Sequence, residues 1–412
     1  MRRLSKLFEN YDGPTLGRTP RGNKKPGVNK WKKSNIKYGI EIPSKYSRAV
    51  QLDIALGKPL WQDAVRNEIA GLIYHDCFKF KPSSFKPDKS YQRVPLVLIF
   101  ELKQDLRRKA RLVIQGFKVN PRNLMTKASM VKGISVRLLD VIAHCDNLKI
   151  LCGDIGNAFL QAPTKEKVYT TCNGPEWGEY RGMVAIIQKA LYGLTTSAHQ
   201  WRQYFADFIR SLGFHPVRYD RDVWLRLRDK KDGYDYICTH VDDFKIIARN
   251  PGHWMSQIKD KFLVKSAGDP DYYLGNQYRF EEKEGIWTYD CNKYCEEALN
   301  RVERLVGTLR YRNTPYPTSD IHPELDDSAL LNLKDHRIYQ QLIGMATWLC
   351  TIGRADICFA LASLSRFSAS PREYHLELLL HLFGYLKKFK HKRIAIDSSD
   401  IDISSIPHSE QL

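Results

Sequence analysis

Two apolar stretches of this chain run into acids. LKILCGD (148–154) ends at Asp154, and YDYICTHVDDFKIIA (234–248) holds Asp242 and Asp243 between two apolar runs. The second stretch reads as a β-hairpin with acids at its turn, although Asp-Gly or Asn-Gly would be the stronger turn signal. Two adjacent acids usually make only a solvated turn. Here the flanking runs are apolar on both faces. Ile237, Val241, Ile246 and Ile247, like Leu148, Ile150 and Leu151, call for a covered sheet. If these strands are neighbours, three carboxylates meet at one sheet edge. At ~4 Å each like-charge pair costs ~4 kcal/mol at an effective dielectric of ~20. Such a cluster raises carboxylate pKa values or binds hard cations. Oxygen ligands select Mg²⁺ or Mn²⁺ over Zn²⁺. Two such ions ~3.5–4 Å apart stabilise both the attacking and the leaving oxygen of a phosphoryl displacement.

Charge supplies the second constraint. The chain has 65 Lys and Arg against 46 Asp and Glu, a net charge of +19. That excess points to a polyanion, nucleic acid or an acidic membrane surface, with a soluble basic protein as the plain alternative. No apolar run approaches ~18 residues, so no membrane span is expected. MRRLSKLFENYDG lacks the apolar core of a secretory signal. The nine cysteines contain no C-x-x-C pair, and no His partners follow Cys291 and Cys295 at finger spacing. Reduced, mostly buried thiols are expected rather than a zinc site. Hydrophobic residues at 43% and charged residues at 27% exclude wholesale disorder. Pattern and composition together describe a metal-dependent enzyme acting on nucleic acid. They leave polymerase and nuclease both open.

The 412 residues suggest two or three domain-sized units. Residues 1–35 hold ten Lys or Arg against Glu9 and Asp12, with interleaved Gly and Pro. They read as a basic nucleic-acid-binding arm or as a linker. A helix is expected from Trp61, where Trp61, Val65, Ile69 and Leu72 share a side. Strands are expected over 95–102, 111–117 and 148–154, with a helix over 136–145 between the last two. HQWRQYFADFIRSLGF (199–214) has helical spacing and a stop at Gly213. TPYPTSDIHPELDD (314–327) marks a boundary. Beyond it YQQLIGMATWLC and YHLELLLHLFGYLKK are helical, and SSDIDISSIPHSEQL reads as a tail.

The blocks along the chain resemble the reverse transcriptase of copia-type LTR retrotransposons, over roughly residues 60–395. Trp61, Ala64 and Glu68 fit its opening W-x-x-A-x-x-x-E, and KARLVIQGF (109–117) fits its K-A-R-L-V-x-x-G-F. GDIGNAFLQAP (153–163) fits D-x-x-x-A-F-L, KALYGLTTSAHQW (189–201) the L-Y-G-L block, and THVDDFKII (239–247) the V-D-D box. YYLG (272–275) fits the following L-G strand. YQQLIG (339–344), GRADICFA (353–360), LSRF (364–367) and His375 fit the helical segment after the palm. Asp-Asp alone is nearly worthless as a signal; seven blocks in order are strong.

The resemblance implies an α/β (α+β) right-hand polymerase with fingers, a palm whose antiparallel sheet carries the acids, and a helical thumb or connection. It divides the chain into a basic arm or linker (1–58), fingers and palm (59–313), a helical segment (314–397) and a tail (398–412). It implies an RNA-directed DNA polymerase whose partners are an RNA and DNA template-primer and dNTPs. No membrane partner is implied, and the oligomeric state is open. Asp154, Asp242 and Asp243 would be the catalytic carboxylates holding two Mg²⁺, with Mn²⁺ as a substitute. Phe159 would crowd the ribose 2′-OH of a ribonucleotide; its plain alternative is a core aromatic. Lys109 and Arg111 would meet the triphosphate, and Tyr192 and Gly193 would floor the nucleotide pocket. Assembly in a cytoplasmic virus-like particle is the implied location.

Three departures stand out. His240 replaces the usual Tyr before V-D-D, which bears on primer geometry. Thr195 and Thr196 replace the usual Lys-Gln, removing one positive charge. The chain stops soon after IAIDSSD (394–400), so a Pol polyprotein fragment without RNase H is expected. The alternative is a catalytically decayed, basic nucleic-acid-binding remnant of a retrotransposon; a metal nuclease using the same acids is the remotest reading.

Overall fold

The computed structural model describes residues 36–103, 105–121, 124–229, 232–317 and 323–397. The basic arm (1–35) and the tail (398–412) lie outside the described residues. The chain divides into two compact units, one of residues 1–65 and 98–110, the other of 66–97 and 111–412. The described part of the first unit starts with a small hairpin, β1 (Ile36–Lys37) and β2 (Ile40–Glu41), followed by α1 (Tyr46–Leu56). Arg48 pairs with Glu41 at 2.7 Å. The next helix, α2 (Leu60–Tyr74), begins in this unit, and its free N–H groups at Trp61 and Gln62 donate to the carboxylate of the buried Asp53. A remote side chain thus does the work of an N-cap.

The chain continues through β3 (Phe78–Lys81), β4 (Gln92–Arg93), β5 (Leu96–Leu102) and β6 (Arg108–Ile114). β5 and β6 form a two-stranded hairpin. The strand expected over 111–117 therefore starts earlier and ends at Ile114. Gly116 begins a short turn of 3₁₀ helix, because there the backbone closes against Gly193: a Cβ on Gly116 would lie 1.8 Å from the Gly193 carbonyl oxygen.

The second unit is built on a six-stranded antiparallel sheet. Its members come from α3 (Gly133–Cys145) onward: β7 (Lys149–Ile155), then α4 (Ala158–Gln161), β8 (Val168–Thr171), β9 (Val184–Ile187), α5 (Ser197–Ser211), β10 (His215–Pro216), β11 (Val223–Leu227), β12 (Tyr234–His240), β13 (Asp243–Ala248), α6 (Pro251–Lys261) and β14 (Val264–Gly268). The strand order is β10-β11-β12-β13-β7-β14, while β3, β9, β8 and β4 form a separate four-stranded sheet. One face of the six-stranded sheet is covered by α5 and α6. Trp201, Phe205, Ile209, Trp254 and Ile258 pack there on Ile237, Phe244 and Ile246. Each such side chain contributes about 1.5–3 kcal/mol by leaving water. Gly153 is required on this face, since it pairs with Phe244 and a Cβ there would meet the ring at 2.3 Å.

The other face packs on α3 and on a second four-stranded sheet: β15 (Tyr272–Tyr273), β16 (Asn276–Glu281), β17 (Ile286–Asp290) and, much later, β18. Leu274 and Gly275, expected in a strand, are the turn between β15 and β16, with φ of 48° and 89°. Four helices follow, α7 (Asn292–Val306), α8 (Leu333–Ile352), α9 (Cys358–Ser365) and α10 (Glu373–Lys388), around a core of their own. β18 (Ile394–Ile396) then returns to β17. The segment 314–397 is therefore not wholly helical. IAI is too short for its periodicity to separate strand from loop. All nine cysteines are free thiols. Among the described residues no helix is long and apolar enough to cross a membrane.

Candidate active site

The hairpin of β12 and β13 puts Asp242 in its turn and starts β13 at Asp243. β13 then lies between its hairpin partner and β7, and Asp243 stands directly opposite Asp154. Two acids distant in sequence become cross-strand neighbours at one end of the sheet. The backbone completes the junction: Ile155 N–H donates to the Asp242 carbonyl at 2.8 Å. Burial, and then the negative charges of Asp242 and Asp154, push the Asp243 carboxyl up to about 6. Lys265 on β14 offsets part of this charge, with its Nζ 3.3 Å from Asp154 Oδ2. Sequence reasoning missed Lys265, since a single Lys in a short strand carries no signal of its own. Among the described residues no three His, Cys, Asp or Glu side chains close into a metal-binding group. The donor set still fits a hard divalent cation. It consists of carboxylate oxygens, and the shared negative charge disfavours leaving them uncompensated.

The turn itself is strained. Val241 has φ of 58°, a left-handed conformation that is costly for a β-branched residue. What holds it is Trp201 of α5, whose indole Nε1–H donates to the Val241 carbonyl at 2.5 Å. The ring is buried and stacks on Phe205 with centres 5.3 Å apart. Helical spacing marks Trp201 as a core residue; only the fold reveals its second task. Trp201→Phe keeps a smaller aromatic ring and removes the donor. It is expected to cost about 1–3 kcal/mol in urea unfolding. It is also expected to lower the turnover of any reaction at Asp242 and Asp243 more than its substrate affinity. Unchanged stability and turnover would show that the turn holds itself.

A second group of predicted residues forms a row beside the acids. The Arg111 guanidinium lies 5.4 Å from the Tyr192 ring centre, and Tyr192 lies 5.6 Å from the Phe159 ring centre. Burial raises the Tyr192 hydroxyl pKa, opposed by Arg111 and assisted by the charges of Glu68 and Asp242. Tyr192 thus sits within electrostatic reach of both Arg111 and Asp242. Gly193 has φ of 94°, and a Cβ there would meet the Ile114 carbonyl oxygen at 2.1 Å. That close approach lets Ile114 N–H donate to the Tyr192 carbonyl at 2.8 Å, fixing Tyr192 relative to the strand that carries Arg111. Lys109 shares the Arg111 face of β6 by its two-residue spacing but belongs to the first unit. His240 pairs in register with Asp243. Thr196, one of the departures, is buried and bonds Glu166, while Gln200 donates to its hydroxyl at 2.8 Å. Thr195 is exposed.

The family model for reverse transcriptase (RNA-dependent DNA polymerase) matches residues 85–308, more than half of the chain. The chain belongs to the reverse transcriptase family. It is similar to the retrovirus-related Pol polyprotein from transposon RE1 of Arabidopsis thaliana, 27% identical over 374 residues, covering 86% of this chain and 25% of the relative. It is also similar to that from transposon TNT 1-94 of Nicotiana tabacum, 26% identical over 312 residues, covering 70% of this chain and 23% of the relative. This reverse transcriptase chain therefore spans about a quarter of the length of these two relatives. A solved foamy viral protease–reverse transcriptase in complex with double-stranded DNA aligns over 78% of this chain and 47% of its own, with 13% identity and a TM-score of 0.44. The copia-type resemblance read from the ordered blocks holds, and with it the right-hand polymerase class, here a structure of helices and mostly antiparallel sheets. Reverse transcriptases of this family are generally dependent on divalent metal.

Proposed function

We propose that this chain is the polymerase module of a copia-type retrotransposon and extends a DNA primer on an RNA template. The observation that carries the reading is the register of Asp243 opposite Asp154, with Asp242 at the adjoining turn. In this reading the primer 3′-hydroxyl attacks the α-phosphate of a dNTP, and pyrophosphate leaves. Asp154, Asp242 and Asp243 would hold the divalent metal, and a bound metal would supply positive charge against the reacting oxygens. Arg111 faces the triphosphate, where a planar guanidinium suits paired phosphate oxygens. It lies against the Tyr192 ring. Phe159, packed on Tyr192, would crowd a ribose 2′-hydroxyl. The net charge of +19 supports a nucleic-acid partner.

Primer extension on an oligonucleotide RNA template with dNTPs and Mg²⁺ tests the reading. Extension is the expected result. No extension, together with tight duplex binding, would point instead to a decayed remnant. Duplex affinity should fall steeply between 50 and 200 mM salt, by about a hundredfold or more, as counterions are released. A flat salt response would contradict phosphate-dominated binding. Phe159→Ala should admit rNTPs at a rate at least about tenfold above the unaltered chain, the scale of one lost steric contact. A variant that still rejects rNTPs would place the gate elsewhere.

A further inference from the structure

β6 pairs only with β5, so among the described residues no strand covers its other edge. Alternate residues of an antiparallel strand send their N–H groups to the same edge. Leu112 and Ile114 are such a pair, and both find acceptors outside the sheet. Ile114 N–H donates to the Tyr192 carbonyl at 2.8 Å, and Leu112 N–H donates to Glu68 Oε1 at 3.0 Å. Glu68 closes the opening W-x-x-A-x-x-x-E block and sits on α2, 44 positions before Leu112. Leu112 is 2% exposed, and a buried N–H left without an acceptor is costly. The residue between α2 and this edge in the chemistry of the site is Arg111. Its neighbour Leu112 is fixed by Glu68, and its guanidinium lies 5.4 Å from the Tyr192 ring centre. Burial raises the Tyr192 hydroxyl pKa most; the Arg111 charge lowers it and the Glu68 charge raises it. The Glu68 carboxylate therefore stands within electrostatic reach of the row formed by Arg111, Tyr192 and Phe159.

We propose that Glu68 is a positioning residue for the nucleotide pocket: by fastening the open edge of β6 at Leu112, it sets the direction in which Arg111 presents its guanidinium to the triphosphate. Glu68 acts through the backbone and touches neither nucleotide nor metal. Successive side chains of a strand point to opposite faces, so a strand free to rotate at Leu112 swings Arg111 with it. The bond needs an acceptor oxygen at the reach of a Glu or Gln side chain; the charge is secondary. Gln supplies that oxygen without the charge, and Asp keeps the charge but is one methylene too short. The effect on the nucleotide rests on the polymerase reading; the fastening of β6 does not.

Steady-state primer extension by the whole chain, with the dNTP concentration varied, compares Glu68→Ala, Glu68→Asp and Glu68→Gln. The Ala and Asp variants are expected to raise the KM for dNTP about tenfold, the scale of a lost hydrogen bond to a charged group. Their kcat should stay within about threefold, because Arg111 grips the triphosphate alike before and during the reaction. Glu68→Gln should restore the KM to within about threefold of the unaltered chain. With Arg111→Ala already in place, Glu68→Ala should raise the KM no further, since the group it positions is gone. A Gln variant as impaired as Ala, a loss confined to kcat, or an additive KM effect in the Arg111→Ala background overturns the positioning role. Should Glu68→Ala fail to fold, the contrast of Asp with Gln still decides it. Hydrogen exchange of the Leu112 amide, read by NMR without any turnover, should be at least about tenfold faster in Glu68→Asp and unchanged in Glu68→Gln. Unchanged exchange in Glu68→Asp overturns the fastening. Absence of extension by the unaltered chain fells the polymerase reading and the nucleotide half with it, while exchange at Leu112 still decides the fastening.

Discussion

Asp243→Asn is expected to lower dNTP incorporation by at least about a thousandfold, the scale of removing an electrostatic group from a reacting centre. Primer-template affinity should stay within about threefold, because phosphate contacts elsewhere carry it. Asn preserves the shape and removes the charge. It also removes the repulsion from Asp242 and Asp154 that, after burial, raises the Asp243 pKa. The variant should therefore be no less stable than the unaltered chain in metal-free buffer while being inactive. That pairing separates a metal-holding role from a structural one, since a structural carboxylate would lose stability and activity together. Asp242→Asn and Asp154→Asn should behave alike in incorporation. Asp154→Asn also loses its ion pair with the exposed Lys265, worth little at the surface. Retained incorporation in any of the three would remove that residue from the site.

The second large effect concerns stability. Lys245, two residues after Asp243, is fully buried and pairs with the equally buried Asp140 of α3. Tyr278 OH donates to the second Asp140 oxygen at 3.0 Å, and the Lys245 ammonium lies 4.3 and 5.4 Å from the Tyr278 and Tyr273 ring centres. Both tyrosines belong to the second four-stranded sheet, so this network ties that sheet to the strand bearing Asp243. Cys152 and Cys238 flank Lys245 in register, and burial pushes both thiols up to about 12, so neither shares its charge. Asp140→Ala leaves the ammonium buried without its counterion and should cost about 3–5 kcal/mol. Asp140→Leu combined with Lys245→Met replaces the pair by apolar volume and should be neutral or stabilising. Urea unfolding of Asp140→Leu, Lys245→Met and the double variant measures the coupling directly. Single variants each costing under about 1 kcal/mol would show that water reaches the pair.

Much of this was legible beforehand. Helices α3 and α5 follow from a periodicity of 3.6, and the hairpin around Asp242 from two apolar runs that flank the acids, whereas α6 was not expected. α5 and the β12–β13 pair fall within a few residues of their expected bounds. The end of β6 and the turn at Leu274–Gly275 were not legible. Both depend on how closely another piece of backbone approaches or on a left-handed residue, and neither leaves a periodic trace. Lys245 was hidden for a similar reason. Within the apolar run FKII a single Lys carries no sign that Asp140, 105 residues away, waits to pair with it.

By itself the sequence determined which segments are apolar enough to be buried, where they stop at carboxylates, and which family the ordered blocks belong to. These are local properties, set by side-chain type and spacing. Tertiary structure alone decided that β13 pairs with β7, bringing Asp243 opposite Asp154. It also decided that Trp201 holds Val241 and that Lys245 finds Asp140. Each of these joins residues 40 to 105 positions apart. Such pairings are chosen by the packing of whole faces against one another, and no local pattern encodes which face will meet which.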